Sequence, residues 1–206
     1  KMVKNKLRIT DFVKPLYTAN LLLPGWKNHL IPAPPYYSER DTDHSFSIVS
    51  VQSSFDVEDN NKAIAELEKY GMSPADKYVC LYIRDLGSQM NSSSIIYSFD
   101  INDFTYLAEK LVGEGYYVLR MGKGVKNKFQ TTNNKIIDYA YNFQSDLMDI
   151  WLSAHCEFMV GTGGGLQMVP QIFRRPNLFI NYPNIFTPRY DALNSMVTFC
   201  RLNRNG

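Results

Sequence analysis

Residues 145–182 read SDLMDIWLSAHCEFMVGTGGGLQMVPQIFRRPNLFINY, and the order of patterns within them decides the fold class. Ser145 and Asp146 are helix-opening residue types, and the apolar positions after them predict a helix reaching His155. Glu157 to Val160 is then a short apolar run of the kind buried on both faces of a parallel sheet. The loop Gly161-Thr162-Gly163-Gly164-Gly165 leads into a second helix, GGLQMVPQIF, broken or restarted near Pro170, and RRPNLFINY supplies another strand. Helix, strand, glycine loop, helix and strand in that order are the pattern of an α/β unit.

The same alternation extends toward the N-terminus. KYVCLYIR (77–84) is a near-continuous apolar run with a charged end, and NDFTYLAEKLVGEGYYVLRMG (102–122) gives a helix and then a strand over Tyr116 to Met121. KIIDYA (135–140) reads as a short third strand. The expectation for residues 73–206 is therefore α/β, a Rossmann-like parallel sheet flanked by helices. Residues 1–72 differ. LLLPGWKNHLIPAPPYYSERD (21–41) is rich in Pro and aromatics and predicts irregular, extended chain. A short strand follows at 45–52, then a helix within 56–72 with acidic residues near its start and Gly71 as its stop. This segment reads as an N-terminal extension or the remnant of another lobe.

Composition excludes several classes. Of 206 residues, 45% are hydrophobic and 20% charged, the balance of an ordinary globular protein. The net charge of +2 makes no global case for nucleic acid. Cys80, Cys156 and Cys200 are odd in number, far apart and set in apolar stretches, which suits buried free thiols in a reducing compartment. No Cys/His cluster of zinc spacing exists. No stretch approaches the ~20 apolar residues of a membrane span, and KMVKNKLRIT lacks the apolar core of a secretory signal. The expected location is cytoplasmic, with peripheral association at the inner face of a membrane compatible with it. Lys1 before Met2 and the uncapped tail RLNRNG suggest a fragment of a longer protein.

In an open parallel sheet, ligands bind beyond the carboxyl ends of the strands, and three features fall there. They are Arg84-Asp85 after the first strand, Arg120 through Gly122 and Lys123 after the second, and Gly161, Thr162, Gly163, Gly164 and Gly165 before a helix. Glycines let backbone N–H groups approach a ligand, and a following helix adds its positive end, so the loop suits a diphosphate. It lacks the Walker Lys-Ser/Thr and the GxGxxG spacing, and a purely structural turn is the alternative. Arg84 and Arg120 would give bidentate contacts to phosphate, or ion pairs at strand ends with Asp85. Lys123 and Lys126 are secondary candidates, otherwise solvated loop charges. Ser145 and Asp146 either cap a helix or also face a ribose or base. Asp149 falls at the sheet-facing edge or in solvent, and His155 complements the dipole at the helix end. For a general base, the clustered candidates are Glu39, Asp41, Asp43 and His44, or these are a solvated loop. No nucleophile elbow or reactive Cys is present.

Taken in order, VCLYIRD, GYYVLRMGK, IIDYA, the 145–176 block and LFINYP are similar to a family of bacterial glycosyltransferases often encoded with surface-polysaccharide genes. The likeness covers roughly residues 74 to 190. The helix–strand–glycine block also resembles the donor lobe of GT-B enzymes such as heptosyltransferases. IRD resembles the arginine motif of certain fucosyltransferases, with Arg84 at the position of the donor-binding arginine and Tyr82 where those enzymes carry His. The resemblance implies transfer of a sugar from a nucleotide diphosphate to a hydroxyl of a glycan acceptor. It implies no cofactor beyond that donor and no bound metal, with Arg84 and Asp85 as catalytic candidates and positive groups stabilising the departing diphosphate. A GT-B enzyme has a second complete lobe, for which about 72 residues are too few. Other readings are a non-catalytic glycan- or protein-binding module, and transfer from another phosphorylated donor.

Overall fold

In the computed structural model the described residues are 10–29, 50–85, 99–182 and 195–200. Contacts divide the chain into two units, 1–38 and 39–206. In the first, helix α1 (Thr10–Asn20) contains Pro15, and a 3₁₀ turn follows at Trp26–His29. The sequence pattern gave no sign of α1, because Pro inside a helix removes a donor and argues against one.

In the second unit, α2 (Val57–Lys69) forms where the sequence places a helix. Asp56 caps it by accepting from the Asp59 N–H at 2.7 Å. It ends in a Schellman motif: the Met72 N–H donates to Leu67 O and the Gly71 N–H to Glu68 O, with Gly71 at φ +73°. Residues 50–52 carry no strand, and 45–49 of the expected strand lie outside the described residues.

Six parallel strands follow: β1 (Tyr78–Tyr82), β2 (Tyr117–Arg120), β3 (Ile136–Ile137), β4 (Phe158–Gly161), β5 (Asn177–Tyr182) and β6 (Ser195–Phe199). Their spatial order is β3-β2-β1-β4-β5-β6, all neighbours parallel, which makes this a Rossmann-like α/β sheet. Helices α3 (Thr105–Gly113), α4 (Tyr139–Asn142), α5 (Asp146–His155) and α6 (Val169–Ile172) lie in the connections. A 3₁₀ turn at Gly165–Met168 precedes α6, with Pro170 in the first turn of α6, so the expected break near Pro170 is a change of helix type.

Strand alternation sends residues to two cores. Tyr78, Cys80, Leu119 and Met159 meet Ala63 and Leu67 of α2 and Met148, Trp151 and Leu152 of α5. Val79, Leu81, Val118 and Val160 meet Ile101, Phe104 and Ala108 on the opposite face. Because α2 contributes to the first of these cores, it belongs with the sheet, whereas the sequence pattern set it in the segment before residue 73. The thiols of Cys80 and Cys156 are free and buried, and that of Cys200 is free and half-buried.

Candidate functional site

The order of the strands reverses between β1 and β4, and a crevice opens there at the carboxyl edge. A cavity of about 520 Å³ lies beside it. Tyr82 from β1, Gly122 and Lys123 after β2, Asp146, Asp149 and Ile150 from α5, and Gly165, Leu166 and Val169 after β4 line it. Of the three segments that the sequence reading placed at strand ends, the one after β2 (Gly122, Lys123) and the glycine loop (Gly165) line this space, whereas β1 contributes Tyr82 rather than Arg84 or Asp85.

The two sides of the crevice are tied together. The Thr162 N–H donates to Tyr82 O at 3.1 Å, and Thr162 Oγ1 accepts from the Arg84 N–H at 3.0 Å. Thr162 is wholly buried, so its hydroxyl serves the fold rather than a ligand. Gln167, also buried, holds the loop from beneath. Its Oε1 accepts from the Gly163 N–H at 2.9 Å, and its Nε2 donates to Asn177 Oδ1 and Leu178 O.

The glycines of the loop separate by role. A Cβ on Gly161 would meet Gln167 Oε1 at 2.6 Å and Tyr82 O at 2.7 Å. Gly163 (φ +96°) receives the Tyr182 ring, and Gly164 (φ +146°) the Tyr82 phenol, whose oxygen would lie 2.6 Å from an added Cβ. These three positions are glycine for backbone conformation and packing. Gly165 is different: a Cβ there meets nothing, its φ is not positive, it is exposed, and it borders the cavity. The leading N–H groups of the 3₁₀ turn that it opens have no acceptor within that turn. Tyr182 reaches Gly163 from the end of β5, where the register shifts and Asn181 adopts φ +51°.

Arg84, two residues after Tyr82, is half-buried, and its charge acts on the Tyr82 phenol. Burial raises the pKa of Tyr82, and the Arg84 charge opposes that rise. Asp149 is buried on the opposite wall. Its Oδ1 accepts from the Tyr139 hydroxyl at 2.9 Å and its Oδ2 from Gln144 Nε2 at 2.7 Å. Burial pushes its carboxyl above the usual range, against those two hydrogen bonds. Each oxygen keeps a second lone pair for a ligand donor. At the rim, Lys123 Nζ pairs with Asp146 Oδ1 at 2.6 Å, with both side chains mostly in solvent. That contact lowers the Asp146 pKa and raises that of Lys123.

Other residues singled out in the sequence lie elsewhere. Arg120, read as a phosphate ligand or as a strand-end ion pair with Asp85, has no exposed surface and takes the second role. Its Nη1 donates to Asp138 Oδ1 at 3.2 Å and to Asn127 O, and its Nη2 lies 3.4 Å from Asp85 Oδ2. Asp85 Oδ2 also accepts the Lys126 and Asn127 N–H groups, and Asp138 Oδ2 accepts from the Phe129 N–H at 2.7 Å. Arg120 and Asp85 thus organise the 121–138 connection, and the Lys126 side chain is exposed beside it. Ser145 is the α5 cap, accepting from the Met148 N–H at 3.3 Å. His155 stacks on Trp151 with ring centroids 4.2 Å apart, and its Nδ1 lies 2.8 Å from Trp151 O. Glu39, Asp41, Asp43 and His44 lie outside the described residues.

Sequence reading passed over Tyr82 as a cavity wall, Asp138 as the partner of Arg120, and Gln167 as the tether of the loop. The available signals were a polar residue directly after a strand (Asp138) and one glutamine inside the apolar GGLQMVP.

These features define the chain as a Rossmann-like α/β protein with a cavity at its topological switch point. Neither protein-family models, curated proteins nor solved structures give a match to it. Among the described residues no helix is long and apolar enough to cross a membrane.

Proposed function

We propose that the cavity takes the nucleoside diphosphate part of a sugar donor and that the protein is a glycosyltransferase acting on a glycan acceptor. Gly165 is the observation that carries this reading. It is the one glycine of its loop with no packing or conformational reason to be glycine, and it faces the cavity. A missing side chain at that point leaves backbone N–H groups open to a close-approaching ligand.

In this reading the diphosphate sits between the Gly165–Leu166 backbone and the Arg84 guanidinium. Arg84 holds two phosphate oxygens at once and stabilises the charge that grows on the leaving diphosphate as the bond from the sugar's anomeric carbon to the phosphate oxygen breaks and the acceptor oxygen takes its place on that carbon. Asp149, already oriented by Tyr139 and Gln144, accepts hydrogen bonds from ligand hydroxyls on the other wall. The apolar side chains of Ile150, Leu166 and Val169 flank the flatter parts of the ligand. Positive side chains and backbone dipoles neutralise the leaving group in the proposed chemistry, so binding is expected without added metal. The proposed setting is surface-polysaccharide synthesis in the bacterial cytoplasm, at the inner membrane face.

Thermal unfolding with UDP, GDP, CDP, ADP and dTDP, with and without magnesium, tests the proposal. One diphosphate at ~100 times its dissociation constant adds about 2.7 kcal/mol, and Arg84→Ala abolishes that gain. A flat panel, or a gain indifferent to Arg84→Ala, overturns the assignment.

A further inference from the structure

The N-terminal unit carries a surface that the cavity does not explain. Leu22 is 84% exposed, Leu16 67%, Leu23 54% and Tyr17 51%. They follow one another from the second half of α1 into the turn after it, where the Leu21, Leu22 and Leu23 N–H groups still bond back to Tyr17, Ala19 and Asn20. Trp26 comes next, with Lys27 Nζ 5.8 Å from its ring centre. Residues 1–38 also hold six basic side chains (Lys1, Lys4, Lys6, Arg8, Lys14, Lys27) against the single acid Asp11, a net +5. The chain as a whole is +2, so residues 39–206 are net −3. Along the sequence, positive charge and exposed leucine thus fall within the same 38 residues, with Lys1, Lys4, Lys6 and Arg8 outside the described ones.

We propose that α1 and the Leu21–Trp26 turn form a docking surface for an anionic lipid bilayer. Leucines exposed in a row are poorly placed in water, and a nucleic acid offers them nothing, since its outer surface is charged phosphate. A bilayer with anionic headgroups meets both features at once: acyl chains take the leucines, and headgroups take the lysines. Trp26 and Tyr17 are residue types that settle at the headgroup level. The 11 residues of α1 rise about 16 Å at 1.5 Å each, short of a ~30 Å hydrocarbon core, so the segment lies on the membrane rather than across it. This inference does not depend on what the cavity binds.

Flotation of the whole chain with phosphatidylcholine vesicles, with and without phosphatidylglycerol, is the test. Binding to the anionic vesicles is expected to be more than about tenfold tighter than to neutral ones, and to weaken as salt shortens the Debye length. Leu22→Glu with Leu23→Glu is expected to remove at least about tenfold of that affinity, because the apolar anchorage is lost while residues 1–38 keep a net charge of +3, from +5 less two. Both positions are exposed, so the unfolding midpoint of the double variant should match that of the parent. Equal binding to both vesicle types, or full binding by the leucine variant, overturns the proposal. Retention on an RNA homopolymer with no vesicle binding overturns it too and assigns the basic segment to nucleic acid.

Discussion

Replacing Arg120 with Met separates two roles for a strand-end arginine. In the structure its guanidinium is wholly buried between Asp138 and Asp85, whose side chains are 5% and 8% exposed. Met keeps most of the volume and removes the charge, leaving two buried carboxylates without their cation. Breaking a buried pair from one side costs about 3–5 kcal/mol. Three backbone N–H groups, those of Lys126, Asn127 and Phe129, still serve the carboxylates, which favours the lower end, about 3 kcal/mol. At roughly 2–4 °C per kcal/mol for a chain of this length, the midpoint should fall by about 6–12 °C. Arg120→Lys should lose nearly as much, because a single ammonium cannot fork to both acids. Urea unfolding at neutral pH reads the change as a lower midpoint with unchanged slope. A loss below about 1 kcal/mol, the size of an exposed pair, would refute the buried network. If that small loss came with abolished nucleotide binding, Arg120 would be the phosphate ligand that its place in the sequence suggested.

Three further outcomes follow from the cavity. Gly165→Leu should leave stability within about 0.5 kcal/mol of the parent and abolish nucleotide stabilisation, because its side chain enters only the cavity; thermal unfolding with and without nucleotide checks both halves. Gly164→Ala should instead cost about 1–3 kcal/mol, since φ is +146° and the new Cβ would strike the Tyr82 phenol, as measured by urea unfolding. Asp149 has a raised folded-state pKa, so as pH climbs above the ordinary carboxylate value of 3.8 the unfolded chain releases that proton first and stability falls until the folded group has ionised too. Asp149→Asn escapes this loss: the stability difference in its favour should grow across that rise in pH, while its nucleotide binding weakens, and a pH series of urea titrations shows whether it does.

Much of the sheet was legible because β1, β2 and β4 are buried on both faces and read as apolar runs, and β5, though half-buried, is apolar over Leu178–Ile180. β6 was not, since Ser195–Phe199 is mostly exposed and mixes polar with apolar residues. Helix α5 announced itself through Ser145, and α2 through Asp56 and Gly71, all of which act where their residue types belong. The meeting of Gly122 and Lys123 with the glycine loop was legible too, because parallel topology sends every strand end to one edge. The two arginines show the limit. Arg120 continues the Val118 face of β2 into the core, and its acids arrive from positions 35 residues before and 18 after it. No local pattern reports such partners. The glycine loop was ambiguous for a related reason: whether a glycine is demanded by φ, by a tyrosine ring or by nothing depends on Tyr82, Tyr182 and Gln167, which come from elsewhere in the chain.

Thr162 stitches the two lips of the crevice at their base, through one bond to Tyr82 O and one from the Arg84 N–H. The backbone at Arg84 and the glycine loop are therefore fixed to each other by the chain itself. Under the proposed function, a ligand entering there would spend none of its affinity on drawing those lips together. Thr162→Val would remove the tie to Arg84 and keep the one to Tyr82, leaving the lip that carries Arg84 to be ordered by whatever binds there.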